Sequence, residues 1–318
     1  MLYLLAVFIW QSLPCPTVVE INLMTKTNTP LYIAISLDID PDANTAVAGR
    51  YDALSSPIQY GRIQIGACKK GLQKIFRLLD TYAIEATLFY EARTAQMLIA
   101  EGMDLPGLSE RHEVSCHSLK HEDFTGKVSG MPMKPDCIER TIIEATQILE
   151  NIFGRVVKGF RAPYTRINAP VVQALEKLGF RYDSSETIPL GNGWKGNPFP
   201  LEMFNSHLLE LALPSLCDVH GKKMSSYLWA FFEGKRIARE YIDIVLHARE
   251  IAKGGLFIIA MHPWHFLVNY RGIPFSKEQA DHHVNGFEYI LSRLKQLHGV
   301  QLIRMDNYLE TWLKSGKA

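Results

Sequence analysis

The sequence has almost no net charge: 34 Lys and Arg against 33 Asp and Glu leave +1 over 318 residues. It therefore lacks the electrostatic footprint of a nucleic-acid binder, and no basic run interleaved with aromatics supplies one. No apolar run approaches the length of a bilayer crossing, so no stable membrane span is expected. The apolar stretch Leu2–Trp10 is too short for one. No C-x-x-C pair occurs, and the cysteines (Cys15, Cys68, Cys116, Cys137 and Cys217) are odd in number. That usage argues against a disulfide framework and for a reducing compartment. Cys116 lies in an apolar strand and reads as a small buried hydrophobe. No Lys or Arg precedes Lys26, so residues 1–23 lack the basic n-region of a signal peptide. Met24, followed by a polar lead-in, is the favoured start, with residues 1–23 outside the fold. On that reading the protein is cytoplasmic; a signal peptide over residues 1–23 would make it secreted. No repeat or low-complexity segment is present.

What is present fits a single globular domain over residues 24–318. Apolar residues make up 47% and charged residues 21%, and the length allows a substantial core without disulfide staples. Compact apolar runs rich in β-formers predict strands at Leu31–Leu37, Ala86–Tyr90, Glu113–His117, Val156–Phe160, Phe180–Tyr182, Leu208–Leu213, Gly255–Met261 and Val300–Ile303. Helical periodicity marks Cys68–Tyr82, Arg93–Glu101, Pro135–Phe153, Pro170–Leu178, Ile237–Lys253, Lys277–Leu297 and Asp306–Lys314. Alternating strands and helices imply a parallel sheet covered by helices. Seven or eight such units predict a distorted (β/α)7–8 barrel of TIM type. Residues 186–234 interrupt the alternation with Trp194, Phe199, Trp229, Phe231 and Phe232; they read either as a lid over the strand ends or as satellite core. The long loop Tyr51–Ile65 is expected to shape the pocket, with Arg62 as its candidate contact.

One regularity locates the function. Asp38, Asp40, His117, Arg161, Asp183 and His262 all fall at or just past the C-terminal ends of predicted strands. In a parallel barrel that face carries the active site. Polar residues ending one strand are usually mere terminators; five strands that each end in a residue useful for hydrolysis are not. His117 and His121 form an H-x-x-x-H pair that shares a face if it occupies one helical turn. By itself the spacing is weak evidence, since such pairs are common on solvated helix faces. Asp38-Ile39-Asp40 places two carboxylates on one side of an extended chain, although an Asp-rich turn would use the same residues. Two histidines and one carboxylate leave coordination positions open, as in a catalytic metal site.

These residues together resemble the polysaccharide deacetylase family, also called the NodB-homology domain or carbohydrate esterase family 4, from about residue 31 onward. Ser36-Leu37-Asp38-Ile39-Asp40 is similar to a D-x-D variant of its first motif. His117–His121 matches the second, H-[ST]-x-x-H, and Arg161–Tyr164 the third, R-x-P-[YF]. Leu256–Pro263 fits the fifth. Asp183-Ser184-Ser185 stands where the fourth supplies an Asp, without its usual Trp. The resemblance implies one divalent metal on Asp40, His117 and His121, with Zn²⁺ expected and Co²⁺ or Ni²⁺ suited to the same donors. It implies Asp38 as the base, Arg161 as the group that keeps Asp38 ionised, and the Tyr164 N–H as part of the oxyanion hole. His262 would protonate the departing amine. His265 is a second candidate near it. The expected reaction is removal of an N-acetyl or other N-acyl group from an amino sugar or polysaccharide. The alternatives are hydrolysis of another linear or cyclic amide, of ureide hydrolase or deformylase type, and a non-enzymatic sugar-binding module. The expected partner is a carbohydrate or small-molecule amide, not nucleic acid. Nothing in the sequence sets the oligomeric state.

Overall fold

The computed structural model describes residues 29–55, 65–218 and 220–316. The expectations for residues 1–23 and for Arg62 lie outside them. The first strand is β1 (Leu31–Ile39), followed by a small hairpin of β2 (Asn44–Ala46) and β3 (Ala53–Ser55). Then come α1 (Gly66–Thr81), β4 (Thr87–Tyr90), α2 (Ala92–Ala100), α3 (Leu105–Leu108), β5 (Glu113–Cys116), α4 (Pro135–Phe153), β6 (Gly159–Phe160), α5 (Ala169–Lys177) and β7 (Tyr182–Asp183). Five short strands follow: β8 (Thr187–Pro189), β9 (Phe199–Pro200), β10 (Leu209–Glu210), β11 (Leu213–Cys217) and β12 (Lys223–Ser225). The chain closes with α6 (Trp229–Phe232), α7 (Ala238–Ile251), β13 (Leu256–Met261), α8 (Lys277–Gln296), β14 (Val300–Leu302) and α9 (Met305–Lys314).

The main sheet runs β13-β1-β4-β5-β6-β7-β10-β9, with β14 alongside β1; all pairs are parallel except β9 with β10. It curls into a distorted half-barrel. A second sheet, β12-β11-β8, stands beside β13, joined by a Tyr227–Ala260 bridge. Residues 186–234 are therefore not one loop: β9 and β10 extend the main sheet, and β8, β11 and β12 form the second.

Strand β1 shows why the sheet is built as it is. Its side chains alternate between two apolar surroundings. Ile33, Ile35 and Leu37 pack outward against the helices, in the cluster that contains Leu72, Ile75 and Phe76 of α1. Ala34 points inward, to a smaller core filled by Phe89, Tyr182, Ile258 and the α9 residues Met305, Tyr308 and Trp312. Ser36 and Asp38 continue that inward row. Parallel register then aligns the strand ends: Ile39 faces Tyr90, Tyr90 faces Cys116, Cys116 faces Phe160, and Phe160 faces Asp183. The residue after each of the first four of these (Asp40, Glu91, His117 and Arg161) therefore lies on one rim.

Helix α1 packs closely on the segment after β13. A Cβ built on Gly71 would stand 1.9 Å from the Pro263 carbonyl oxygen and 2.6 Å from its carbon. Only glycine fits there, and the obstacle is backbone. Gly71→Ala is expected to cost about 1–3 kcal/mol and to slow turnover at least about tenfold, because Pro263 joins His262 to Trp264. Melting temperature and turnover of the variant check this; unchanged values for both would contradict the packing described.

Cys68, Cys116 and Cys137 are free thiols, and Cys116 is fully buried. Cys217, by contrast, is disulfide-bonded. No helix among the described residues is long and apolar enough to cross a membrane.

Candidate active site

The rim opens into a cavity of about 560 Å³, a size suited to a small ligand or one unit of a larger one. Its floor carries Asp38, Asp40, His117, His121 and His262. Tyr164, Tyr227, Trp229, Trp264 and Tyr270 form apolar walls with polar tips.

Asp38 is held from two sides. Arg161 Nη1 donates to its Oδ1 at 2.7 Å, and the Tyr227 hydroxyl donates to its Oδ2 at 2.9 Å. Arg161 is itself fully buried, with each of its three side-chain nitrogens bonded: Nη1 also donates to Ser36 Oγ, Nε to the Ser184 carbonyl and Nη2 to Ser184 Oγ. Its guanidinium lies 4.2 Å from the Phe89 ring centroid. Burial pushes the Asp38 carboxyl up, but Arg161, His117 and His262 outweigh it and hold Asp38 below the usual carboxylate range. Asp38 is therefore ionised in the resting site.

Asp40 is the opposite case. Trp264 Nε1 donates to Oδ1 at 2.8 Å, leaving Oδ2 to face His121 Nε2 at 3.5 Å and His262 Nε2 at 3.8 Å. Burial, Glu91 and Asp38 raise it well above the ordinary value. A buried carboxylate beside two others, with no cation to offset it, is a costly arrangement.

His117 and His121 are brought together by a loop. The expected helical turn is absent: Ser118 and His121 adopt left-handed φ values of 64° and 55°. The Glu122 carboxylate pins the loop by accepting from Ser118 Oγ and from the N–H groups of Leu119 and Lys120. The loop carbonyls of Ser118 and Leu119 accept from the first two N–H groups of α2, Ala92 and Arg93, closing orphan donors of that helix. The His117 Nδ1 pairs with the Arg161 carbonyl at 2.8 Å, which turns Nε2 toward the cavity. Burial keeps both imidazoles neutral, the state in which histidine binds metal.

Among the described residues no three His, Cys, Asp or Glu side chains form a finished metal cluster. The donor chemistry nonetheless fits a divalent ion. Two donors about 2.1 Å from a tetrahedral ion lie about 3.4 Å apart, and Asp40 and His121 stand 3.5 Å apart. His121 Nδ1 is buried without a partner. A cation there would offset the burial and the neighbouring carboxylates that raise Asp40.

His262 directly follows β13 and is neutral at rest, since burial depresses it to about 3. The Tyr227 hydroxyl lies 2.9 Å from its Nε2, so one hydroxyl bridges Asp38 and His262. Tyr164 sits in a turn with φ 61°, its hydroxyl accepting from the Ala46 N–H and its ring 4.6 Å from that of His121. Asp183 is not brought to the cavity. Its carboxylate accepts from Ser185 Oγ at 2.8 Å and pairs with Glu210, one strand away. His265 is also set back, fully buried and bonded to Glu233 at 2.7 Å.

Tyr227 and Trp264 are the residues that sequence reasoning missed. Of the aromatics in residues 186–234, Trp229 lines the cavity whereas Phe231 and Phe232 are core.

Residues 63–182 match the polysaccharide deacetylase family. A peptidoglycan deacetylase of Helicobacter pylori is 24% identical over 178 residues, which are 54% of this chain and 58% of that protein. The chain spans about half the length of the curated relatives it matches. A crystal structure described as a polysaccharide deacetylase from Mycobacterium smegmatis aligns with a TM-score of 0.65 at 14% identity, over 96% of this chain and 97% of that one. The PuuE allantoinase aligns with a TM-score of 0.61 at 14% identity, over 92% and 94%. These two likenesses show the shared fold.

Proposed function

We propose that this chain of the polysaccharide deacetylase family is a metal-dependent hydrolase that removes an N-acyl group, acetyl in the simplest case, from an amino sugar. The observation that carries the reading is the shared hydroxyl. Asp38, ionised by Arg161, and His262, neutral through burial, are joined by Tyr227 on the floor of one cavity. A base and a proton carrier in contact are what amide hydrolysis requires, because a poor amine leaving group needs a proton.

Asp40, His117 and His121 would hold the ion, preferably Zn²⁺. When bound, that ion would act as a Lewis acid toward the acyl carbonyl. Asp38 takes the proton from the attacking water. Its Oδ2 is bonded to the Tyr227 hydroxyl, and that hydroxyl touches His262, so the proton has a short path from base to imidazole. His262 then delivers it to the nitrogen as the C–N bond breaks. This differs from an imidazolium waiting at rest, since burial disfavours the charged ring. The Tyr164 N–H is assigned to the developing oxyanion. Trp264 fixes the orientation of Asp40, as carboxylate ligands commonly require.

The test compares leaving groups. His262→Ala is expected to keep its metal and to slow release of an amine at least about 100-fold, while an activated ester, whose leaving group needs no proton, slows less than about fivefold. Equal losses on both substrates would remove His262 from the acid's role. A panel of N-acetylated sugars, chitooligosaccharides and ureides, followed by released acetate or ammonia, decides between the sugar amide and a cyclic ureide.

A further inference from the structure

His265 is a buried imidazole that the proposed reaction leaves unused. It is fully buried, and its Nδ1 meets no partner among the described residues. Its bond to Glu233 Oε1, 2.7 Å from Nε2, is therefore what sets the orientation of the ring. Burial holds the imidazole below its usual pKa despite Glu233, so it is neutral. A carboxylate only accepts, which puts the His265 proton on Nε2.

The same Glu233 oxygen accepts from the Tyr270 N–H at 2.9 Å. Glu233 directly follows α6, the helix that carries Trp229. One carboxylate thus joins α6, the turn after β13 and the loop that brings Tyr270 to the cavity wall.

The His265 ring passes this anchor inward. It stacks on Trp264, with centroids 4.6 Å apart and planes 29° apart. Trp229 and Phe232 enclose it at 4.7 Å and 5.0 Å. Trp264 also stacks on His262, at 5.0 Å and 28°. The Trp264 Nε1–H then donates to Asp40 Oδ1 at 2.8 Å, which leaves Oδ2 facing His121 and His262. The direction of the Asp40 carboxylate follows the tilt of one indole, and that indole rests on a ring fixed by Glu233.

We propose that Glu233 and His265 are positioning residues for Asp40: their bond sets the imidazole, the imidazole sets the Trp264 indole, and the indole aims the carboxylate. That Asp40 receives a metal ion rests on the hydrolase reading given above; the anchoring does not. Without its acceptor the buried Nε2–H would be unpaired, a cost that turns the ring or admits water. Close-packed rings around it would have to move as well.

The first readout needs neither metal nor substrate. The chain has five tryptophans, so its indole N–H groups give at most five nitrogen–proton signals in magnetic resonance. Trp264→Phe identifies the Trp264 signal by its loss. In the full chain, exchange of that hydrogen with solvent is expected to be at least about tenfold faster in Glu233→Ala than in the native protein, because the bond to Asp40 opens more often. Glu233→Gln keeps an acceptor oxygen for His265 and for the Tyr270 N–H, and should restore native exchange. His265→Phe keeps a ring in the stack without the bond, and should behave as Glu233→Ala does. The second readout is Zn²⁺ affinity by competition with a chelator, expected to be about tenfold weaker in Glu233→Ala and native-like in Glu233→Gln, as for lost outer-shell partners. Exchange within twofold of native in both Glu233→Ala and His265→Phe would overturn the proposal. So would exchange as fast in Glu233→Gln as in Glu233→Ala, or native Zn²⁺ affinity in a variant whose exchange is faster. Faster exchange in a chain whose native form binds no Zn²⁺ would sink the metal-dependent reading and leave the anchoring standing. Zn²⁺ binding and acyl release with unaltered exchange would do the reverse.

Discussion

Asp38→Asn is expected to lower turnover by at least about 10³-fold while leaving metal content unchanged. The carboxylate is the only ionised base on the cavity floor that is not also facing the metal donors, and general-base catalysis contributes about 10²–10⁴-fold. The amide keeps an acceptor oxygen for Arg161 Nη1 but loses the charge. Arg161 is fully buried, so an unpaired guanidinium would remain, at a cost of roughly 3 kcal/mol by analogy with broken buried pairs. The variant should therefore melt at a lower temperature yet fold. Asp38 accepts one further hydrogen bond, from the Tyr227 hydroxyl, which asparagine preserves in part, whereas Asp38→Ala would remove both. A folded Asp38→Asn protein with more than a tenth of native activity would show that the base lies elsewhere.

His117→Ala should act on the other half of the site. It removes a neutral imidazole whose Nδ1 is fixed by the Arg161 carbonyl, and with it one of three proposed donors. Metal content should fall below about a tenth of an ion per chain, and activity should vanish and not return on adding Zn²⁺, Co²⁺ or Ni²⁺. The two variants together separate the roles: one keeps the ion and loses the base, the other loses the ion. If His117→Ala retained stoichiometric metal, the ion would have to sit on other donors, with His262 beside Asp40 as the next candidate.

Much of the architecture could be read from the chain because its central strands are buried on both faces. Leu31–Leu37 and Gly255–Met261 are continuous apolar runs, and they became β1 and β13 with ends shifted by at most two residues. Helix α4 runs from Pro135 to Phe153 as its periodicity and early proline indicated. The short strands were not legible. β7, β9 and β10 are two residues each, too few for any period to register. Val156–Phe160 reads as a strand, yet Val156 is 65% exposed and only Gly159–Phe160 pairs.

The site divides in the same way. Asp38, Asp40, His117 and His262 are visible because each ends an apolar run, and parallel register carries such ends to one rim. Arg161 follows from the same rule. Asp183 obeys it too, but in β7, beyond Arg161, its carboxylate turns to Ser185 and Glu210. The helical geometry expected of His117–His121 failed because Glu122 captures the loop's N–H groups and two residues take left-handed backbone. Tyr227 gave no signal at all: its place depends on the bridge to Ala260, a contact 33 residues along the chain. Trp264 had a faint one, two residues past the histidine that follows β13.

The central claim is that one metal ion in this cavity, with Asp38, hydrolyses an N-acyl bond. The most direct measurement strips the purified chain with a chelator, adds Zn²⁺ in steps and follows acetate released from an N-acetylated amino sugar. Activity should be absent in the stripped protein, rise linearly with added ion and level off at about one ion per chain. Acetate release that survives complete removal of metal, or none at any loading while the protein remains folded, would contradict the account.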